Sequence, residues 1–201
     1  MKSFIRWMAI GIVVWGWGTM TPAAQLGRSV PEVVDNVRAG GGEGRISGNP
    51  ATGLQLALFA PVQIFPANYD VYGFRLNLLY GLNQNLRGLD LGVFNDIEGL
   101  VEGLQLGVVG NRAQSLSGVQ IGLYNSIGGS ENGCLQLGIF NQADDVMGCQ
   151  LGPVNFARQA NGAQIGLINI CDTMTGVQVG LINIISQSSF LVFCPIVNAQ
   201  F

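Results

Sequence analysis

The chain of 201 residues contains no histidine, and only 10% of its residues are charged. Histidine is the usual general base and the commonest metal ligand near neutral pH. Its absence removes Ser-His-Asp and Cys-His nucleophiles and makes a zinc centre improbable. There is no G-x-S-x-G nucleophile motif and no paired C-x-x-C spacing among Cys134, Cys149, Cys171 and Cys194. No apolar run reaches the 18 residues that a membrane-crossing helix needs. Basic charge is also short: after residue 23 there remain 7 basic and 12 acidic residues, so 7 − 12 = −5. That balance argues against a nucleic-acid partner.

What is abundant is glycine, 30 residues of it, in a chain that is 48% hydrophobic. Part of the hydrophobicity is explained at the start. Lys2 and Arg6 precede an apolar run from Trp7 to Trp17, followed by the small-residue stretch from Thr19 to Ala24. This has the make-up of a secretory signal peptide over residues 1–23, with cleavage after Ala23 or Ala24. Residues 24–52 then read as a linker or cap, with a short Pro-initiated helix expected over Val30 to Arg38 and a Gly-rich linker from Gly40 to Gly44. That glycine run has no Lys-Ser or Lys-Thr after it, so it does not read as a phosphate loop.

Residues 53–201 form a repeat domain. The unit is G-[LV]-Q-[LIV]-G-[LIV]-[FYVI]-N, with copies beginning at Gly73, Gly88, Gly103, Gly118, Cys134, Gly148, Gly162 and Gly176, and degenerate copies at Gly53 and near Leu191. Aliphatic residues at the second, fourth and sixth positions, such as Val119, Ile121 and Leu123, alternate with Gln and Gly, and period-two alternation denotes a β-strand. Further apolar residues recur near the tenth and thirteenth positions, as in Ala143 with Val146 and Ile97 with Leu100. An exposed loop would not need them. The expected fold is therefore all-β, with about ten strands in units of 14 to 16 residues.

Two closures fit the pattern. A β-solenoid stacks each unit on the next by translation, about 4.8 Å apart. It turns the third position into a ladder of Arg75, Asp90, Gln105, Gln120, Gln136, Gln150, Gln164 and Gln178, with an ion pair followed by stacked carboxamides. The alternative is an up-and-down antiparallel β-barrel or meander, supported by export and by a terminal alternating segment ending in Phe201. The equivalence of every unit favours the solenoid, because a barrel would repeat by hairpins with unequal loops. In that solenoid the aliphatic positions face inward and the Gln face points out. The seventh position, Phe94, Val109, Tyr124, Phe140, Val154, Ile168 and Ile182, would then form an exposed apolar ridge suited to a partner.

The units GVQIGLYN, GAQIGLIN and GVQVGLIN resemble those of the bacterial surface-repeat proteins first named from Leptospira. The opening LQLALFAPVQIFPANYDVYGFRLNLLYG and the closing CPIVNAQF are similar to that family's flanking segments, so the resemblance covers residues 53–201. Cys134 at a Gly position and Pro153 within a strand depart from it. The resemblance implies a surface or envelope location and brings no activity, ligand or catalytic residue with it. The expected function is that of an exported structural or interaction module, docking an envelope protein, a glycan or a membrane surface. No catalytic, metal or cofactor-binding residue and no small-molecule cofactor is expected. The runner-up is a small outer-membrane barrel with a possible pore. A carbohydrate-active enzyme is the third reading, since carboxylate pairs such as Asp144 and Asp145, or Asp96 with Glu98 and Glu102, gather in turns. Export would allow the four cysteines two disulfides in any of three pairings, but because each replaces a Gly, Leu, Ala or Ile of the repeat, small apolar filler is the favoured reading.

Overall fold

The computed structural model describes residues 48–60, 62–188 and 191–201. The expected signal peptide, capping helix and Gly-rich linker lie outside the described residues. Within them the chain forms nine strands in one sheet, ordered β2-β1-β3-β4-β5-β6-β7-β8-β9. They are β1 (Ala51–Phe59), β2 (Val62–Gln63), β3 (Asp70–Asn83), β4 (Leu86–Ile121), β5 (Tyr124–Leu137), β6 (Phe140–Leu151), β7 (Val154–Ile165), β8 (Ile168–Ile185) and β9 (Phe193–Gln200). The 36-residue β4 is more than one coil, because its backbone keeps pairing through the corners.

From β1 to β8, apart from the flanking β2, the pairing is parallel and joins equivalent positions of successive units. Asn141 lies opposite Asn155, Gly148 opposite Gly162 and Gln150 opposite Gln164. Parallel, in-register stacking at a one-unit offset is a β-solenoid, and the up-and-down barrel is thereby excluded, since neighbouring barrel strands would run antiparallel. The degenerate copy at Gly53 joins the stack, with Gln55 opposite Arg75. The last segment does not. β9 pairs antiparallel with β8, placing Asn198 opposite Gln178, so it is a reversed strand covering the final coil and not a further copy. At the other end β2 covers part of β1, also antiparallel. Both ends of a parallel stack expose unpaired backbone, and a reversed strand satisfies part of it.

The two strand faces are oriented opposite to the expectation. Gln105, Gln120, Gln136, Gln150, Gln164 and Gln178 are fully buried, as are the repeat's Asn residues, whereas Leu123, Ile139, Leu167 and Leu181 of the sixth position are exposed. The tenth and thirteenth positions do form the apolar part of the core, through Ala113 with Leu116, Ala143 with Val146, Ala157 with Ala160 and Cys171 with Met174. In the coil of Ile97 that role passes from Leu100 to the neighbouring Val101.

Glycine is demanded at two places in the unit. At the first position Gly148, Gly162 and Gly176 have φ of 137°, 139° and 140°, a region that side chains rarely adopt. At the fifth position a Cβ on Gly166 would stand 2.0 Å from the Gly152 carbonyl oxygen and 2.7 Å from Asn155 Nδ2. Cys134 occurs at a first position because its coil is longer and the positive φ, 96°, moves to Gly133.

Two outcomes are expected. Gly166→Ala should lower the melting temperature sharply, while Gly129→Ala, whose Cβ would meet only the Asp145 Cβ at 3.8 Å, should leave it nearly unchanged. Deleting residues 162–175 should leave a shortened but folded chain by circular dichroism, since the stack closes by translation. A misassembled product would contradict that closure.

Candidate functional site

The interior is organised by two columns of carboxamides. In the first, each Gln donates from Nε2 to Oε1 of the Gln one coil nearer the N-terminus: Gln178 to Gln164 at 2.8 Å, Gln164 to Gln150 at 2.7 Å, Gln150 to Gln136 at 2.8 Å. The column continues through Gln120 to Gln105. In the second column Asn donors point the other way, toward the C-terminal end: Asn111 to Asn125, Asn125 to Asn141 and Asn141 to Asn155, each at 2.9 Å. From Asn95 to Asn169 the second hydrogen of the Asn amide reaches the fourth-position carbonyl of the next coil, as from Asn125 to Leu137 and from Asn155 to Ile165. Each Asn thus pins the following coil from inside. A buried amide left unsatisfied costs several kcal/mol, so these positions are tolerable only because translation supplies a partner at every step.

A one-way column leaves a donor at one end and an acceptor at the other. The Gln column's leading donor, Gln105, ends on Asp90 Oδ2 at 3.0 Å. Asp90 is fully buried, and its carboxylate also accepts from Arg75 Nε at 2.8 Å, Arg75 Nη2 at 2.6 Å and Asn77 Nδ2 at 3.0 Å. Arg75 spends its remaining donor Nη1 on Asn83 Oδ1 and the Asp96 carbonyl. This is a bidentate pair in which both partners make further hydrogen bonds, the condition under which a buried ion pair is tolerated. The trailing acceptors are Gln178 Oε1 and Asn77 Oδ1, at opposite ends of the stack, and neither has a hydrogen-bond partner among the described residues.

The coil of Arg75 also exchanges two residues. Asn77 occupies the fifth position, opposite Gly92, and Gly81 the Asn position, opposite Asn95. A Cβ on Gly81 would lie 1.9 Å from Asn77 Oδ1. The carboxamide fills the same interior space from the opposite wall, and still donates to Asn95 at 2.8 Å.

With amides inside, the aliphatic positions point outward. Three columns, at the second, fourth and sixth positions, run the length of the stack from Leu54, Leu56 and Leu58 to Val177, Val179 and Leu181, and none contains a charged residue. Val108 is 71% exposed, Leu123 52% and Leu181 66%. Between the fourth and sixth columns lies an open groove of about 510 Å³ over the backbone of Gly107, Gly122 and Gly138, walled by Leu106, Ile121, Val108 and Leu123 among others. Sequence reasoning assigned this face to the core. The fifth-position glycines were the available signal: glycine is required where another group crowds in, and that group is the Asn column.

The expected ridge at the seventh position is also changed. A corner after the fifth position puts it on the wall opposite to Gln, beside the aliphatic face. Phe94, Tyr124, Phe140, Val154 and Ile168 are half-buried there, and Val109 and Ile182 are exposed. The ridge is interrupted, because an extra residue places Gly110, not Val109, opposite Tyr124. On either side of that gap the rings stack, Tyr80 with Phe94 at 5.8 Å and Tyr124 with Phe140 at 5.7 Å between centroids.

The carboxylates do not converge. Asp96 accepts from Tyr80 Oη at 2.8 Å and faces Arg112 at 3.5 Å; Glu102 pairs with Arg87, and Asp144 with Arg158 at 2.8 Å. Among the described residues no three Cys, Asp or Glu side chains are grouped to hold a metal. The four cysteines are free thiols. Burial pushes the Cys134 and Cys149 thiols up, and Cys171, fully buried in the core beside Asp172, up to about 12. These are protonated, weakly nucleophilic thiols.

Two expectations follow from the interior. Asp90→Asn should destabilise the fold by about 3–5 kcal/mol in urea titration, because Arg75 loses a buried counter-ion. The double variant Arg75→Gln with Asp90→Gln extends the amide column and should be more stable than either single variant. Cys171 and Tyr80 both have folded-state values above their unfolded ones, the latter through burial and the adjacent Asp96 carboxylate. The unfolded chain therefore loses these protons first. Stability should hold below pH 9.0, the ordinary thiol value, and fall as pH rises above it. Cys171→Ala should flatten that decline in urea titrations across the range.

No protein-family model, no curated protein and no solved structure matches this chain.

Proposed function

We propose that this protein is an exported, non-catalytic interaction module of a bacterial envelope, and that it works through the outward aliphatic face of the solenoid. The observation that carries the reading is the charge-free sheet face described above. Soluble chains seldom leave contiguous apolar patches beyond a few hundred Å² uncovered unless something docks there. Aliphatic columns with no hydrogen-bonding side chain suit an apolar protein surface better than a glycan, which needs polar contacts. The charged leader followed by small residues supports export, and the repeat's likeness to bacterial surface-repeat proteins supports an envelope location. Catalysis is disfavoured by the dispersal of the carboxylates, most of which are engaged in structural pairs.

Cell fractionation tests this reading. The chain, expressed in full in a Gram-negative host, should be recovered from the envelope, shortened at Ala23 or Ala24. Leu123→Glu should weaken its retention there without altering its circular dichroism. Full-length chain in the cytosol would contradict export, and unchanged retention of the variant would contradict a role for this face.

A further inference from the structure

We infer that the aliphatic face joins two copies of this chain, sheet against sheet, about a twofold axis. The inference rests on reading that face as an interaction surface and specifies its occupant. Size is the first argument. Nine coils about 4.8 Å apart, from Leu56 to Val179, give a face about 38 Å long, and the span from the second to the sixth column adds a width of about 13 Å. The flat area is about 500 Å², which the corrugation of the side chains raises toward the roughly 800 Å² per partner of a standard stable interface.

Relief is the second argument. The face presents two aliphatic ridges, the fourth and sixth columns, about 7 Å apart, with the groove over Gly107, Gly122 and Gly138 between them. The sixth-column ridge of one copy, through residues such as Leu123 and Leu167, can settle into the groove of the other, and a twofold axis repeats the contact in reverse. Sheets packed this way lie about 10 Å apart with interdigitated side chains, as in a β-sandwich.

Charge is the third argument, and it separates a second copy from a lipid surface. Residues 48–201 contain 4 Arg, no Lys and 9 Asp or Glu, so 4 − 9 = −5. Helices and loops that lie on membranes carry basic residues and Trp around their apolar face. This domain has no Trp. Its acidity opposes anionic headgroups but leaves an uncharged aliphatic face free to meet its own copy.

Sedimentation velocity on the exported chain, diluted through about 10 µM, reads the outcome, since interfaces of this size bind from micromolar downward. The wild type should sediment at twice the monomer mass. Leu123→Glu and Leu167→Glu should each sediment as monomers with unchanged circular dichroism, and the milder Val108→Ser should raise the dissociation constant if either fails to fold. Arg158→Glu, on another wall, should remain dimeric. A wild type that is monomeric at every concentration, or a dimer that survives both Glu variants, would overturn the inference. A monomer that instead floats with phosphatidylglycerol vesicles would identify lipid as the occupant and overturn it as well. Monomeric protein that still depends on Leu123 for envelope retention would end self-association and leave the interaction reading intact.

Discussion

The buried carboxamides of the two columns, Gln105 to Gln178 and Asn95 to Asn183, depend on having a copy of themselves one strand spacing away. In-register parallel stacking provides that copy at every coil, which converts the least suitable interior residues, Gln and Asn, into a continuous set of satisfied donors and acceptors. The two columns run with opposite polarity, the Gln donors toward the N-terminal end and the Asn donors toward the C-terminal end. Their dipoles therefore oppose each other along the stack. Asp90 and Arg75 follow from the same constraint: the Gln donors need a terminal acceptor, a carboxylate provides one, and a buried carboxylate needs a cation.

Several departures from the repeat become intelligible on that footing. The Asn77 and Gly81 exchange keeps one amide and one vacancy in each coil. Cys134 is accommodated by moving the left-handed backbone to Gly133, and the extra residue at Val109 leaves Asn111 in line with Asn125. Pro153 lies on the outer face, and its carbonyl still accepts from the Leu167 and Ile168 amides. The outer wall tolerates what the inner columns do not. Filling the interior with amides also releases the aliphatic positions to the outside, which is the basis for both the proposed function and the proposed self-association.

Strand content, unit boundaries and the order of residues along the third-position ladder were legible in the sequence, because in-register stacking maps repeat position directly onto spatial column. The orientation of the faces was not. Alternation such as Val119-Gln120-Ile121 separates two faces without saying which is inside, and hydrophobicity alone points Ile121 inward. What decides it is a cooperative property, the partner each Gln finds in the next coil, which no single unit displays. The reversal of β9 was hidden for a related reason: Pro195 to Asn198 keep the letters of the unit while pairing antiparallel with β8. The seventh position was misplaced because the corner after the fifth residue breaks the two-residue period.

The central claim, amides inside and aliphatics outside, is tested most directly by hydrogen exchange of the side-chain carboxamides, followed by NMR in a uniformly ¹⁵N-labelled chain. Protection of the Gln120, Gln136, Gln150 and Gln164 NH₂ groups approaching that of the core backbone amides, with a second protected set from Asn125, Asn141, Asn155 and Asn169, is the predicted result. Exchange of these Gln groups at the rate of a freely solvated amide would place them on the surface and contradict the account.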